Sequence, residues 1–264
     1  MDWHVFTDGH VIIITDEHAV LPKGMTRLPD EAFQGRTSLV SVACPRSLVS
    51  IGDDAFCGCS SLVSIKLPQR LEIIGDAAFS GCSSLTDISL PRTVRSLGIY
   101  AFCSCASINS VTFRAGKASI GCFSQCSSLV SVNILDGLES IEKYAFARCS
   151  SLARVTFPAT LTSIGDYAFA NSHCLTCVTV PTTATISAHA FPPATTVLRL
   201  SPKRMRDLQR WYEAVDGALA YKRCRPLLYG WLERAQIRLG SYGPDGAARQ
   251  RDFEEFEGDF APWL

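Results

Sequence analysis

The 264-residue chain carries 25 Lys and Arg against 25 Asp and Glu, and charged residues make up only 19% of it. A neutral, sparsely charged chain offers no global field to attract nucleic acid or a membrane surface. Its first residues, MDWHVFTDGHVIIITD, lack a basic n-region, and their apolar run is too short for a signal-peptide core or a membrane span. These features point to the cytoplasm, with the cell surface as the alternative if a leader precedes residue 1.

Residues 1–27 read as an N-terminal cap and a degenerate repeat. Within them, residues 3–15 predict a β-hairpin, because Thr7-Asp8-Gly9-His10 separates two apolar runs and Asp-Gly is a strong hairpin signal. Leu21-Pro22 and Leu28 stand at repeat-like offsets before Phe33.

Residues 28–200 form the main array. A phenylalanine, usually after alanine, recurs as Phe33, Phe56, Phe79, Phe102, Phe123, Phe146, Phe169 and Phe191, at spacings of 23, 23, 23, 21, 23, 23 and 22 residues. A fixed period of about 20 to 50 residues is the mark of a solenoid. Counting from each phenylalanine, apolar residues return at +6 (Leu62, Leu85), +9 (Ile65, Val132) and +11 (Leu67, Phe113). The two-residue step from +9 to +11 is strand periodicity with one buried face. Proline at +12, as in Pro45, Pro68 and Pro91, lacks the N–H a ladder needs and ends the strand. A second apolar pair at +15 and +18, such as Leu71 and Ile74, lines the opposite wall. Gly52-Asp53, Gly75-Asp76 and Gly165-Asp166 follow; glycine is expected to supply a positive φ and aspartate to cap a single helical turn carrying Ala-Phe inward. One repeat is irregular, since two residues read as missing between Ile120 and Phe123 and Arg114-Ala115-Gly116 replaces the proline turn.

Five of the twelve cysteines, Cys59, Cys82, Cys105, Cys126 and Cys149, share one column three residues after the phenylalanine, where the outer repeats have Arg36 and Ser172. Stacked side chains point the same way, whereas a disulfide needs converging Cβ vectors. The column therefore reads as reduced, buried packing residues.

The copies AFCGCSSLVSIKLP, AFSGCSSLTDISLP and AFARCSSLARVTFP resemble the BspA-type leucine-rich repeat. That resemblance implies an α/β fold, a horseshoe-like leucine-rich-repeat solenoid of short parallel strands and turns, and a role in protein binding or adhesion. The asparagine that follows the strand in commoner leucine-rich repeats is missing, a departure that weakens the case for their sharp curvature.

Residues 201–264 switch to helical patterning and predict an α-helical C-terminal cap with an acidic, Phe-bearing tail. Ser201-Pro202 reads as an N-cap followed by proline at the first helical position. Residues 201–242 hold nine Lys and Arg against four Asp and Glu, a net +5, whereas 243–264 hold two against six, a net −4. The tail presents Phe253, Phe256 and Phe260 at helical spacing, for the basic helices or a partner groove.

No phosphate loop, nucleophile elbow or His-Glu zinc motif appears, and no catalytic residue, metal or cofactor is expected. His173-Cys174-x-x-Cys177 has zinc-compatible spacing, but Cys177 falls on an outward strand position and Cys174 near the inward column. His4, His10 and His18 lie in the cap and read as solvated turn residues. The candidate contact surface is the outward strand face, with Lys66, Asp87, Asn133 and Arg154 as its larger polar residues, together with the strand-exit arginines Arg46, Arg70, Arg92 and Arg114. The expected function is a non-enzymatic protein-interaction module with a protein partner, no nucleic acid and a monomeric state; a surface adhesin is the alternative.

Overall fold

The structure, a computed structural model, describes residues 3–7, 10–15, 17–86 and 88–207. Trp3–Thr7 and His10–Thr15 form the antiparallel hairpin, and His10–Thr15 in turn pairs antiparallel with His18–Val20. His18–Val20 then pairs in parallel with Ser41–Ala43, so strand stacking already begins ahead of Phe33.

From there the chain winds as a β-solenoid. One wall is built from Ser41–Ala43, Ser64–Lys66, Ser110–Phe113, Ser131–Ile134, Arg154–Thr156, Cys177–Pro181 and Thr196–Leu200. Parallel register places like on like: Ser41 beside Ser64, Val111 beside Val132, and Val132 beside Val155. The +15/+18 wall is a second parallel sheet, although its apolar pair by itself does not predict a strand. Its members are only two residues long, among them Ile73–Ile74, Ser96–Leu97, Ser140–Ile141 and Ser163–Ile164. No helix occurs among the described residues except at 202–207, where Ser201 accepts the N–H of Arg204 on its hydroxyl at 3.5 Å and that of Met205 on its carbonyl. The further C-terminal helices and the tail lie outside the described residues.

The Phe-bearing turn is not a helical turn. From Phe33 to Phe169 the residues two before and two after the phenylalanine take positive φ, for example Asp54 (52°) and Gly58 (74°), or Ala77 (49°) and Gly81 (73°). Backbone N–H groups in this turn point along the solenoid axis to the next coil: Phe56 donates to the Ala78 carbonyl at 2.7 Å, and Gly58 to Ser80 at 2.7 Å. A helical turn would have spent these donors within its own coil.

Two expectations about the Gly-Asp pair are corrected. Gly52, Gly75 and Gly165 do not adopt positive φ. Glycine is needed for close approach instead, because a Cβ on Gly75 would lie 2.7 Å from the Asp53 nitrogen and the Gly52 carbonyl carbon. The aspartates do not cap their own turn. Asp30 accepts the N–H of Asp53 at 3.0 Å, Asp53 that of Asp76 at 2.7 Å, and Asp76 that of Ile99 at 2.6 Å, giving a carboxylate ladder between coils.

The core is a file of rings. From Phe33 to Phe191 every successive pair is stacked, with centroids 5.0–5.5 Å apart and planes within 15°. Truncating one such ring to alanine costs about 3–5 kcal/mol. The file crosses the shortened coil without interruption, since Phe102 and Phe123 lie 5.2 Å apart at 5°. The second sheet does break there, between Ser96–Leu97 and Lys117–Ala118. Buried Ser119 repairs the gap by donating its hydroxyl to the Leu97 carbonyl at 2.6 Å, where a regular coil uses a backbone N–H.

Candidate functional site

The buried cysteine column is structural. Cys59, Cys82, Cys105, Cys126 and Cys149 are fully buried, and each thiol donates to a phenylalanine carbonyl of the preceding coil at 3.1–3.2 Å. Ser172 occupies the same column and makes the same bond to Phe146 at 2.9 Å. The column is therefore a file of hydrogen-bond donors as well as packing residues, a role that apolar patterning alone does not reveal. Burial pushes the thiols of Cys59 and Cys149 up to about 12 from 9.0, and those of Cys82 and Cys105 in the same direction. A neutral thiol is neither nucleophile nor metal ligand.

His173-Cys174-x-x-Cys177 does not assemble a metal centre. Cys174 is exposed and not near the inward column as expected, because Leu175 takes the inward place. Cys149, the potential third ligand, is buried and committed to the Phe123 carbonyl. Among the described residues no group of three or more His, Cys, Asp or Glu side chains is placed to hold a metal ion. His18 is a strand residue bonded to the Ser41 hydroxyl at 2.7 Å, not a turn residue.

On the outward strand face Lys66 and Arg154 are exposed, and Asn133 is half-buried. Asn133 is partly spoken for, since its Oδ1 accepts the Thr156 hydroxyl at 2.6 Å. Register places Arg154 beside Ser131 and Asn133 beside Thr156, giving a flat face of small polar side chains. Arg46, Arg70, Arg92 and Arg114 are all exposed at strand exits. Arg70 stands one residue further past its proline than Arg46 and Arg92 do, so the four are not equivalent positions. Asp87, Phe253, Phe256 and Phe260 lie outside the described residues.

A different surface carries the aromatic side chains. Two residues before the core phenylalanine the later coils present Tyr144 and Tyr167, both at positive φ, and then His189. Tyr144 stacks on Tyr167 at 5.5 Å and Tyr167 on His189 at 5.2 Å. Lys143 Nζ lies 5.0 Å from the centroid of Tyr144 and 5.9 Å from that of Tyr167. Beside this ladder runs an open groove of about 590 Å³ across the 140–143, 163–165 and 185–187 segments. The signal for these residues was their own 23- and 22-residue spacing, which the more regular phenylalanine column overshadowed.

Parallel coils with a stacked phenylalanine file and inward leucines at a 23-residue period define a leucine-rich-repeat solenoid. The chain belongs to the BspA-type leucine-rich repeat family, whose model matches residues 16–121 and 117–198 in six copies. Among solved structures it is similar to a leucine-rich repeat protein from Bacteroides ovatus ATCC 8483 (23% identity, TM-score 0.50, covering 75% of this chain and 66% of that one). It is also similar to a T. pallidum leucine-rich repeat protein (27%, 0.54, 66% and 87%) and to one from Eubacterium ventriosum ATCC 27560 (22%, 0.57, 75% and 51%). The chain thus spans about two-thirds of the Bacteroides ovatus protein and half of the Eubacterium ventriosum protein. Comparison with curated proteins gives no match.

Proposed function

We propose that this chain is a non-enzymatic protein-interaction module. The observation that supports it most is the division of labour along the repeat. Inward columns and carboxylate ladders are consumed by coil stacking, while the outward positions are held in parallel register on a rigid support, as Ser131, Arg154 and their neighbours are. Repeats that contact only their neighbours build extended surfaces of this kind. The BspA-type membership favours a second reading, adhesion at a cell surface. No helix among the described residues is long and apolar enough to cross a membrane.

The test is chemical cross-linking with the tagged full chain in its native cells, followed by identification of partners. A small set of stoichiometric protein partners is expected, and recovery of none at saturating cross-linker would sink the interaction reading. Protease treatment of intact cells separates the two readings, since an adhesin is cleaved from outside and an internal module is not.

A further inference from the structure

The flat strand face lacks the tyrosine, tryptophan and arginine side chains that carry most binding energy at interfaces, Arg154 aside. The edge of the later coils supplies tyrosines beside a groove. Its charges are unequal in availability. Glu142 pairs with Lys117 at 3.1 Å, and Asp166 lies 3.4 Å from His189, an ion pair only while the imidazole is protonated. Lys143 pairs with no carboxylate among the described residues, and it projects over the tyrosine ladder. An incoming carboxylate therefore meets one uncommitted cation flanked by polarisable rings and by the hydroxyls of Ser140 and Ser163.

The ring arrangement also separates two kinds of ligand. Tyr144, Tyr167 and His189 are stacked face to face, so the faces between them are closed. Sugars pack on open ring faces. Peptide side chains and backbone can use what remains, namely ring edges, hydroxyls and the ammonium group.

We propose that Lys143, Tyr144, Tyr167 and His189, with the adjoining groove, bind an extended acidic segment of a protein partner, a carboxylate seating at Lys143. This site deepens the interaction reading above and rests on it. The positions hold tyrosine at a left-handed φ (Tyr144 60°, Tyr167 56°), a conformation costing about 1–2 kcal/mol for a residue with a Cβ. Coil packing does not require tyrosine there, because the earlier coils put Asp54 and Ala77 at the same place.

The experiment uses the full chain as bait for a displayed library of random 12-residue peptides, with the best enriched peptide carried into fluorescence-polarisation titrations. Enriched peptides are expected to be acidic, and affinity is expected to fall about tenfold in Lys143→Gln and in Tyr167→Ser. It should fall similarly when the peptide's Glu and Asp become Gln and Asn, and should stay unchanged in Arg154→Ala. Lys143→Gln alters an exposed side chain, so it keeps the test valid if Tyr167→Ser misfolds. Peptides without acidic bias, or binding that ignores Lys143→Gln, overturn the site. Failure of any peptide to enrich also overturns it, as does binding of an acidic oligosaccharide such as a hyaluronan fragment in place of peptides. Loss of binding in Arg154→Ala alone would move recognition to the strand face and leave the interaction reading intact.

Discussion

The coils before and after the shortened repeat share one core and differ at one corner. In both, the phenylalanine rings stack at 5.0–5.5 Å and the column three residues later donates to a phenylalanine carbonyl. At the corner that precedes the phenylalanine, the early coils carry Gly52, Gly75 and Gly98 with the Asp30–Asp53–Asp76 ladder. The later coils carry Ser119, Glu142, Gly165 and Ser187 at the glycine position, followed two residues on by Gly121, Tyr144, Tyr167 and His189. Closing the corner spends it on stacking. Opening it leaves a groove and frees side chains for another use, which locates variation where the core does not constrain it.

The largest effect should fail to distinguish the two halves. Phe79→Ala and Phe169→Ala remove equivalent stacked rings, so each is expected to cost about 3–5 kcal/mol in urea unfolding. A cost confined to one half would mean that the core is not shared. The corner is expected to separate them. A Cβ on Gly75 meets backbone at 2.7 Å, whereas on Gly165 its nearest neighbour is the Lys143 nitrogen at 3.0 Å. Gly75→Ala should therefore destabilise by about 2–3 kcal/mol and Gly165→Ala by about 1 kcal/mol, from the ordinary cost of overpacking. Equal losses would erase the distinction between closed and open corner.

What the sequence made legible follows from how often each constraint repeats. Phenylalanine, leucine and the +9 residue recur in coil after coil because every coil buries them, so their period exposed the solenoid and the inward columns. The second sheet was hidden because Ser140–Ile141 and its equivalents contribute one buried residue each, too few to show an alternating pattern. The left-handed positions were hidden because Asp54, Ala77 and Tyr100 share a φ and not a chemistry. The stacked ladder of Tyr144, Tyr167 and His189 escaped notice for a related reason: Gly121 separates it from Tyr100 in the same column, and no core requirement imposes it.

A further effect depends on pH and again spans both halves. Burial raises the column thiols above their ordinary 9.0, to about 12 for Cys59 in the early coils and Cys149 in the later ones. Below pH 9 these thiols are neutral folded or unfolded, and they add no pH dependence. Above it the unfolded chain loses protons that the folded chain keeps, so stability falls as pH rises from 9 toward 12. Urea midpoints should drop across that window, and replacing Cys59 and Cys149 by serine, the residue found naturally at position 172, should blunt the drop. A midpoint independent of the thiols would show that the column is open to solvent.

The stacking of like on like is tested most directly by double-mutant cycles along the phenylalanine file. Phe79→Leu combined with Phe102→Leu should show a coupling of about 0.5–1.5 kcal/mol, because those rings touch at 5.1 Å. Phe79→Leu combined with Phe169→Leu, with three rings between them, should be additive. Coupling as strong between the distant pair as between neighbours, or none in either, would contradict a core assembled coil upon coil.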